Sequence, residues 1–146
     1  MVSTASRTVV LDASALLASA FGEPGGEQVR GVIPGARISA ANWSEFFQKV
    51  QQRGVHTQGM REELEAAGLQ IMPVTVEHAE AAACLWSLTR PLGLSLADRL
   101  CLGLAAMQVS TVYTADQVWL QVPPIEGLAM VCIRPAPSLR EAPSVR

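Results

Sequence analysis

A small set of carboxylates is the part of this sequence best suited to chemistry. The chain contains thirteen acidic residues, of which only three are aspartates. Asp12 directly follows an apolar run, Asp116 follows another after one alanine, and Asp98 lies in the first turn of a predicted helix. Glu45 lies near the start of a further predicted helix. Hard cations such as Mg²⁺ prefer oxygen ligands, and a cation held by carboxylates suits phosphodiester hydrolysis.

Each of these acids also has a purely structural interpretation. Asp12 can cap the helix that follows it, because its carboxylate can accept a hydrogen bond from a backbone N–H. Ser95 and Asp98 have the spacing of a capping box, and Asn42 followed by Glu45 gives a similar pattern. The hypothesis of a metal site therefore depends on the set of four acids. Four carboxylates that converge without a cation repel one another, and a bound Mg²⁺ removes that cost.

The elements that would position these acids follow from the hydrophobic pattern. Strands are predicted at residues 8–11, 37–40, 69–74, 110–114 and 129–133. Helices are predicted at residues 13–21, 27–33, 42–53, 57–67, 76–89, 95–107 and 116–120. Strands that alternate with helices predict an α/β fold with a mostly parallel sheet of about five strands, flanked by helices on both faces. Ligands of such sheets bind beyond the carboxyl ends of the strands.

Length and composition favour one domain. The chain has 146 residues, is 49% hydrophobic and only 16% charged, so it can bury a substantial core. We predict a flexible N-terminus over residues 1–6, a folded domain over residues 7–134 and a mobile proline-rich tail over residues 135–146. We expect no signal peptide and no membrane span, because the apolar runs are too short.

Cysteine, histidine and charge content give weaker indications. The three cysteines have no zinc-binding spacing, and we interpret Cys84 and Cys101 as small buried side chains in a reducing compartment, which favours the cytoplasm. His56 and His78 lie in polar contexts and are predicted at the surface, so no nucleophile–histidine pair competes with the acids. The net charge of −2 is less basic than is typical of a non-specific nucleic-acid binder.

Four short sequence blocks provide a family resemblance. They are Val9–Ser14, Asn42–Glu45, Leu94–Arg99 and Tyr113–Asp116, with Trp119 three residues after the last. In this order and at these distances they resemble the PIN domain family, and in particular the VapC-type toxins of bacterial toxin–antitoxin pairs. The resemblance implies a PIN-like domain over residues 7–134 that acts as an Mg²⁺-dependent endoribonuclease.

The resemblance also implies roles for individual residues. The implied metal ligands are Asp12, Glu45, Asp98 and Asp116, with Mg²⁺ as the ion and Mn²⁺ as an alternative. Ser14 and Thr114 are similar to hydroxyls that orient carboxylates or water from outside the ligand set. Arg99, beside Asp98, is a candidate phosphate contact. Trp43 and Trp119 are interpreted as core residues.

The partners implied by the same resemblance are an RNA substrate, a cognate antitoxin protein and a second subunit of a homodimer. Apolar helix faces are candidate surfaces for the protein partners. These faces lie around Phe46, Phe47, Leu85 and Trp86.

Two other classes fit the sequence less well. A phosphatase of the haloacid dehalogenase type needs a second aspartate two residues after the first, and position 14 is Ser14. A response-regulator receiver domain needs a lysine after a late strand, whereas the single lysine, Lys49, lies in a helix in the middle of the chain. The alternative that stays open is a PIN-like module that has lost catalysis and only binds RNA or protein.

Overall fold

The computed structural model describes residues 7–134. The predicted flexible N-terminus at residues 1–6 and the predicted mobile tail at residues 135–146 lie outside the described residues. Within them, no helix is long and apolar enough to cross a bilayer.

A single five-stranded sheet forms the centre of the fold. Its strands are β1 (Val9–Leu11), β2 (Arg37–Ser39), β3 (Gln70–Met72), β4 (Thr111–Thr114) and β5 (Ala129–Cys132). The strands lie in the order β3-β2-β1-β4-β5, and all four neighbouring pairs are parallel. The predicted α/β architecture is confirmed, and the sheet of the described residues is entirely parallel. Its strand order reverses at β1, so the carboxyl ends of β1 and β4 form the crevice where such sheets bind ligands.

Helices cover both faces of the sheet. They are α1 (Ala13–Phe21), α2 (Gly26–Arg30), α3 (Ala40–Gln52), α4 (Met60–Ala66), α5 (Val76–Cys84), α6 (Trp86–Thr89) and α7 (Leu96–Met107). Short 3₁₀ helices span Arg90–Leu92, between α6 and α7, and Gln117–Gln121, between β4 and β5. The helix predicted at residues 76–89 is wrong as one element, because it is interrupted at Leu85, whose N–H bonds the carbonyl of Ala82 three residues back. No glycine or proline marks that interruption, so the pattern gives no signal for it.

The start of α3 also differs from the prediction. The sequence predicts Asn42 as a cap, but the helix begins two residues earlier, at Ala40, and the hydroxyl of Ser39 caps it by accepting a hydrogen bond from the N–H of Ala41 at 3.2 Å. Asn42 therefore lies within the first turn of α3, and its side chain is available for contacts outside the helix end.

The core consists of two clusters separated by the sheet. Val10 and Leu11 of β1 are both fully buried and belong to different clusters, because successive side chains of a strand point to opposite faces. Leu11 packs with residues of α1 and α3, and Val10 packs with residues of α7. Each fully buried aliphatic side chain contributes about 1.5–3 kcal/mol. This double burial fixes β1, and with it the position of Asp12.

Several predictions of burial can be compared with the structure. Trp119 is buried, as predicted, and Trp43 is half-buried against Phe46. Cys101 is buried, but Cys84 is exposed at the end of α5, so its predicted burial is wrong. The alanine-rich pattern of α5 has no strongly apolar face, and its periodicity cannot tell which side meets the core.

One of the four residues predicted to mark a partner surface, Phe46, belongs to the core. It is 1% exposed, so it is not available to a partner. Phe47 is half-buried beside it and lines a shallow surface groove with Trp43. Trp86 is half exposed, with the guanidinium of Arg90 lying 5.0 Å from its ring centroid.

The packing of α1 against α2 provides a stability test. A Cβ at Gly26 would lie 2.2 Å from the carbonyl oxygen of Ala18, which is backbone and cannot move away cheaply. We expect Gly26→Ala to lower the free energy of unfolding by about 1–3 kcal/mol, as overpacking does. Urea unfolding followed by circular dichroism measures this loss.

Gly31 is the matched control, because it follows α2 with a helical backbone and a Cβ there would meet nothing closer than 3.5 Å. We expect Gly31→Ala to leave stability unchanged or to raise it by about 0.4–1 kcal/mol. Equal effects of the two substitutions would contradict the close α1–α2 contact.

Candidate active site

Four acidic side chains from separate parts of the chain line one cavity of about 110 Å³. They are the predicted residues Asp12, Glu45, Asp98 and Asp116. Asp12 follows β1 and caps α1, and Asp116 follows β4 after Ala115. Glu45 lies on α3 and Asp98 in the first turn of α7. The cavity therefore lies at the carboxyl edge of the sheet, where the strand order predicts a binding site.

Asp12 is the most buried of the four acids, at 5% exposed. Its Oδ1 accepts a hydrogen bond from the N–H of Ala15 at 2.9 Å, so Asp12 is a helix cap as well as a cavity residue. The hydroxyl of Ser14 lies 2.7 and 2.9 Å from its two carboxylate oxygens, and the hydroxyl of Thr114 donates to Oδ2 at 2.9 Å. These donors fix the orientation of the carboxylate.

The same two hydroxyls connect Asp12 to the chain that carries Asp116. The N–H of Ala115 donates to Ser14 Oγ at 2.9 Å, and the N–H of Asp116 donates to Thr114 Oγ1 at 3.0 Å. Ser14 and Thr114 thus contact the carboxylate of Asp12 and the backbone before Asp116. This geometry agrees with the orienting role that the sequence predicts for them, and that role in catalysis stays a prediction.

Asp98 and Glu45 are held by contacts within and between helices. Asp98 and Ser95 form a reciprocal capping box, with Ser95 N–H donating to Asp98 Oδ2 at 2.9 Å and Asp98 N–H donating to Ser95 Oγ at 3.1 Å. Glu45 Oε1 accepts a hydrogen bond from Asn42 Nδ2 at 3.3 Å. The capping alternative for Asp98 is therefore correct, and the same side chain also lines the cavity.

Asp116 is the most exposed of the four acids and caps the 3₁₀ turn that follows it. Its Oδ1 accepts a hydrogen bond from the N–H of Val118 at 3.0 Å. It also lines a neighbouring open cavity of about 560 Å³ together with Ser14 and Arg134. The acidic cavity therefore opens next to a wider surface depression.

Two residues of the cavity are not among the predicted site residues, and one predicted site residue, Arg99, does not line it. Lys49 and Asn42 both line the cavity. Lys49 lies four residues after Glu45, and Asn42 lies three residues before it. This spacing places both on the same face of α3 as Glu45, and it is the sequence signal that could have identified them. Arg99 is not among the residues that line the cavity, and its predicted contact with phosphate stays a prediction.

Burial and repulsion from Asp98 raise the cost of ionising two of these acids, Asp12 and Glu45. Burial raises the pKa of Asp12 to about 6, and the negative charge of Asp98 adds to the effect, although the hydrogen bonds from Ala15, Ser14 and Thr114 oppose it. Burial also raises the pKa of Glu45, with Asp98 again adding to the increase. Lys49 and Asn42 oppose the shift at Glu45. A positive charge in the cavity would relieve this cost.

The donor set fits a hard cation that keeps part of its water shell. The four acids supply only oxygen ligands, which suit Mg²⁺ or Mn²⁺ better than a softer metal. Within residues 7–134, no three acidic, histidine or cysteine side chains converge closely enough to enclose an ion. Mg²⁺ loses water reluctantly and is commonly held by one or two carboxylates plus waters, so widely spaced acids are compatible with it.

Comparisons with known proteins agree with this architecture. A family model described as the PIN domain matches residues 9–123. A solved toxin–antitoxin complex from Klebsiella pneumoniae is similar in structure, with a TM-score of 0.66 and 19% identity over 84% of this chain and 96% of that chain. The DNA-bound VapBC complex from Salmonella typhimurium is similar with a TM-score of 0.64 and 12% identity, over 87% of this chain and 98% of that chain. No curated protein sequence matches the chain.

The raised pKa of Asp12 predicts a pH-dependent effect of Asp12→Asn on stability in the presence of a chelator. An aspartate whose pKa is higher in the folded protein, about 6 against 3.8, favours folding when protonated and loses that contribution as pH rises through 6. We therefore expect Asp12→Asn to gain stability relative to the parent protein between pH 4 and pH 8, by at most about 3 kcal/mol. Thermal unfolding at a series of pH values measures this difference.

Asp116→Asn removes a charge from the same cavity and serves as the control. Asp116 is exposed, so this variant removes a cavity charge without removing a buried carboxylate. A stability difference between Asp12→Asn and the parent protein that stays constant from pH 4 to pH 8 would contradict the electrostatic account of this site.

Proposed function

Because the chain belongs to the PIN domain family, we propose that it is a divalent-cation-dependent endoribonuclease that hydrolyses RNA phosphodiester bonds at the acidic cavity. The observation that carries the proposal is that four acids from β1, α3, α7 and the end of β4 line one cavity. Helix capping explains the positions of three of the four acids when each acid is considered alone. Capping does not require, however, that the four side chains share one cavity.

The proposed roles follow from the contacts of each side chain. Asp12, Glu45, Asp98 and Asp116 would hold Mg²⁺ or Mn²⁺, and Ser14 and Thr114 keep the buried carboxylate of Asp12 in one orientation. When bound, such a cation would supply a more acidic water for hydrolysis and would offset charge on the phosphate. Lys49, on the cavity wall, supplies a positive charge that favours the approach of an anionic substrate.

RNA cleavage tests this function directly. Purified protein should cleave single-stranded or structured RNA in Mg²⁺ or Mn²⁺ and stop when a chelator is added. We expect Asp12→Asn and Asp98→Asn to lower the cleavage rate by about 100-fold or more, because changes even outside a ligand set cost 10–100-fold in affinity or activity. Gel analysis of labelled RNA measures the rates.

Glu62→Gln is the matched control, because Glu62 is an exposed acid on α4 that does not line the cavity. It should retain the parent rate. Cleavage that survives both Asp12→Asn and Asp98→Asn would contradict the site. Absence of cleavage of any RNA by the parent protein would favour the alternative, a PIN-like module that only binds RNA or protein.

We further propose that the protein is the toxin of a toxin–antitoxin pair, that it acts in the cytoplasm as a homodimer, and that a cognate antitoxin inhibits it. Support comes from two structural neighbours, which are a toxin–antitoxin complex and a DNA-bound VapBC complex. Half-exposed Trp86 and the groove that Trp43 and Phe47 line are apolar surfaces available to protein partners.

Growth of bacteria that express the chain tests the toxin role. Induction of the parent protein alone should arrest growth, because uncontrolled RNA cleavage depletes the transcripts that growth needs. Asp12→Asn, expressed to the same level, should allow normal growth. Normal growth with a form that cleaves RNA in vitro would point to a housekeeping nuclease.

Light scattering of the purified protein tests the proposed homodimer separately.

A further inference from the structure

Asn42 is an uncharged residue of the cavity whose side-chain amide is only partly hydrogen-bonded. It is the single asparagine of the chain and is 1% exposed. Its Nδ2 lies 3.3 Å from Glu45 Oε1 on the same helix and 3.3 Å from the carbonyl oxygen of Ala97 on α7. Its Oδ1 is buried and has no hydrogen-bond partner. One side of this amide is therefore bonded and the other is not.

The chemistry of its neighbours fixes which way the amide faces. An ionised carboxylate and a backbone carbonyl can only accept hydrogen bonds, so the NH₂ group must face Glu45 and Ala97. The opposite orientation would place three acceptors together. Oδ1 is consequently the unpaired atom, and a buried acceptor without a donor opposes folding. Such a group in a folded protein calls for an explanation, and an ion or a water is a common one.

The position of Asn42 indicates where that missing donor comes from. Asn42 lines the same cavity as the four acids and connects Glu45 on α3 to the residue that precedes Asp98 on α7. The waters of a bound divalent cation are strong hydrogen-bond donors. A cation held by Glu45 and Asp98 would therefore bring donors next to the amide of Asn42.

We propose that Asn42 is a positioning residue of the cation site. Its Nδ2 holds the carboxylate of Glu45 and ties it to the start of α7, and its Oδ1 accepts a hydrogen bond from a water carried by the bound cation. The inference rests on the proposed function, since it requires that the acids bind a cation. It adds an uncharged residue that keeps two of the acids, from different helices, at a fixed separation.

Cation binding to matched variants tests this proposal. Isothermal titration calorimetry with Mn²⁺ compares the parent protein with Asn42→Leu, which is similar in volume, and with Thr89→Val. Thr89 is also fully buried and donates to one backbone carbonyl, that of Leu85 at 2.7 Å, but it does not line the cavity. We expect Asn42→Leu to bind Mn²⁺ about 10-fold or more weakly and Thr89→Val to bind like the parent protein.

The outcomes separate the proposal from the function on which it rests. Affinity of a folded Asn42→Leu equal to that of the parent protein would overturn the role of Asn42, and so would equal weakening by Thr89→Val. If Asn42→Leu fails to fold, Asn42→Ala takes its place under the same criteria. A parent protein that binds no divalent cation would instead contradict the proposed function.

The parent protein also allows a test without substitution. Because the chain has one asparagine, labelling with ¹³C,¹⁵N-asparagine gives a single pair of side-chain NH₂ signals, which share one ¹⁵N shift, in the NMR spectrum. Titration with Mg²⁺, which unlike Mn²⁺ is diamagnetic, should shift these signals with the dissociation constant that a parallel calorimetric titration of the parent protein with Mg²⁺ gives. An amide signal that does not move at saturating Mg²⁺ would overturn the hydrogen bond from cation-bound water.

Discussion

The carboxylate of Asp12 is buried at the end of the central strand, where hydrogen bonds from Ala15, Ser14 and Thr114 partly replace the water that it has lost. The replacement is incomplete, because burial still raises the pKa of Asp12 to about 6. A leucine or valine at this point would extend the apolar core without that cost. The fold instead keeps a carboxylate there and surrounds it with donors, which is the arrangement expected of a site and not of a core.

The position of the other acids depends on how the sheet is built. Since β1 pairs with β4 in parallel, the chain that leaves β4 lies beside the chain that leaves β1, and Ser14 can bond the N–H of Ala115. α7 packs against α3, which brings the first turn of α7 to the same edge. Asn42 provides a direct link between these helices through the carbonyl of Ala97. The cavity is therefore a consequence of strand order and of one helix–helix contact.

Sequence patterns predicted the elements well wherever apolar periodicity was strong. α1 begins and ends at the predicted residues, because Asp12 and Gly22 mark its ends. The start of α3 was missed because Ser39 and Asn42 are both good capping residues, and only the backbone conformation decides between them.

Local pattern also could not show which side of a helix meets another helix. Phe46 and Phe47 are adjacent and chemically alike, yet one is buried in the core and the other lines a surface groove. Lys49 and Asn42 line the cavity because of how α3 packs in the folded protein, which the local sequence pattern does not show. The four acids were predictable because their types and spacing match a family. The spacing of Asn42 from Glu45 places both on one helix face, but only the structure shows that Asn42 has an unpaired oxygen.

The energetic cost of the acidic cavity and its proposed capacity to bind a cation have the same origin. Repulsion and lost hydration raise the free energy of the folded protein when the acids are ionised, and a cation that binds only the folded state recovers that energy. The tighter the cation binds, the more it stabilises the fold, because both effects measure one coupling free energy. On this proposal, the hydroxyls and the amide that bond the carboxylates of Asp12 and Glu45 would prepare the site for the ion, since they hold these side chains in one orientation.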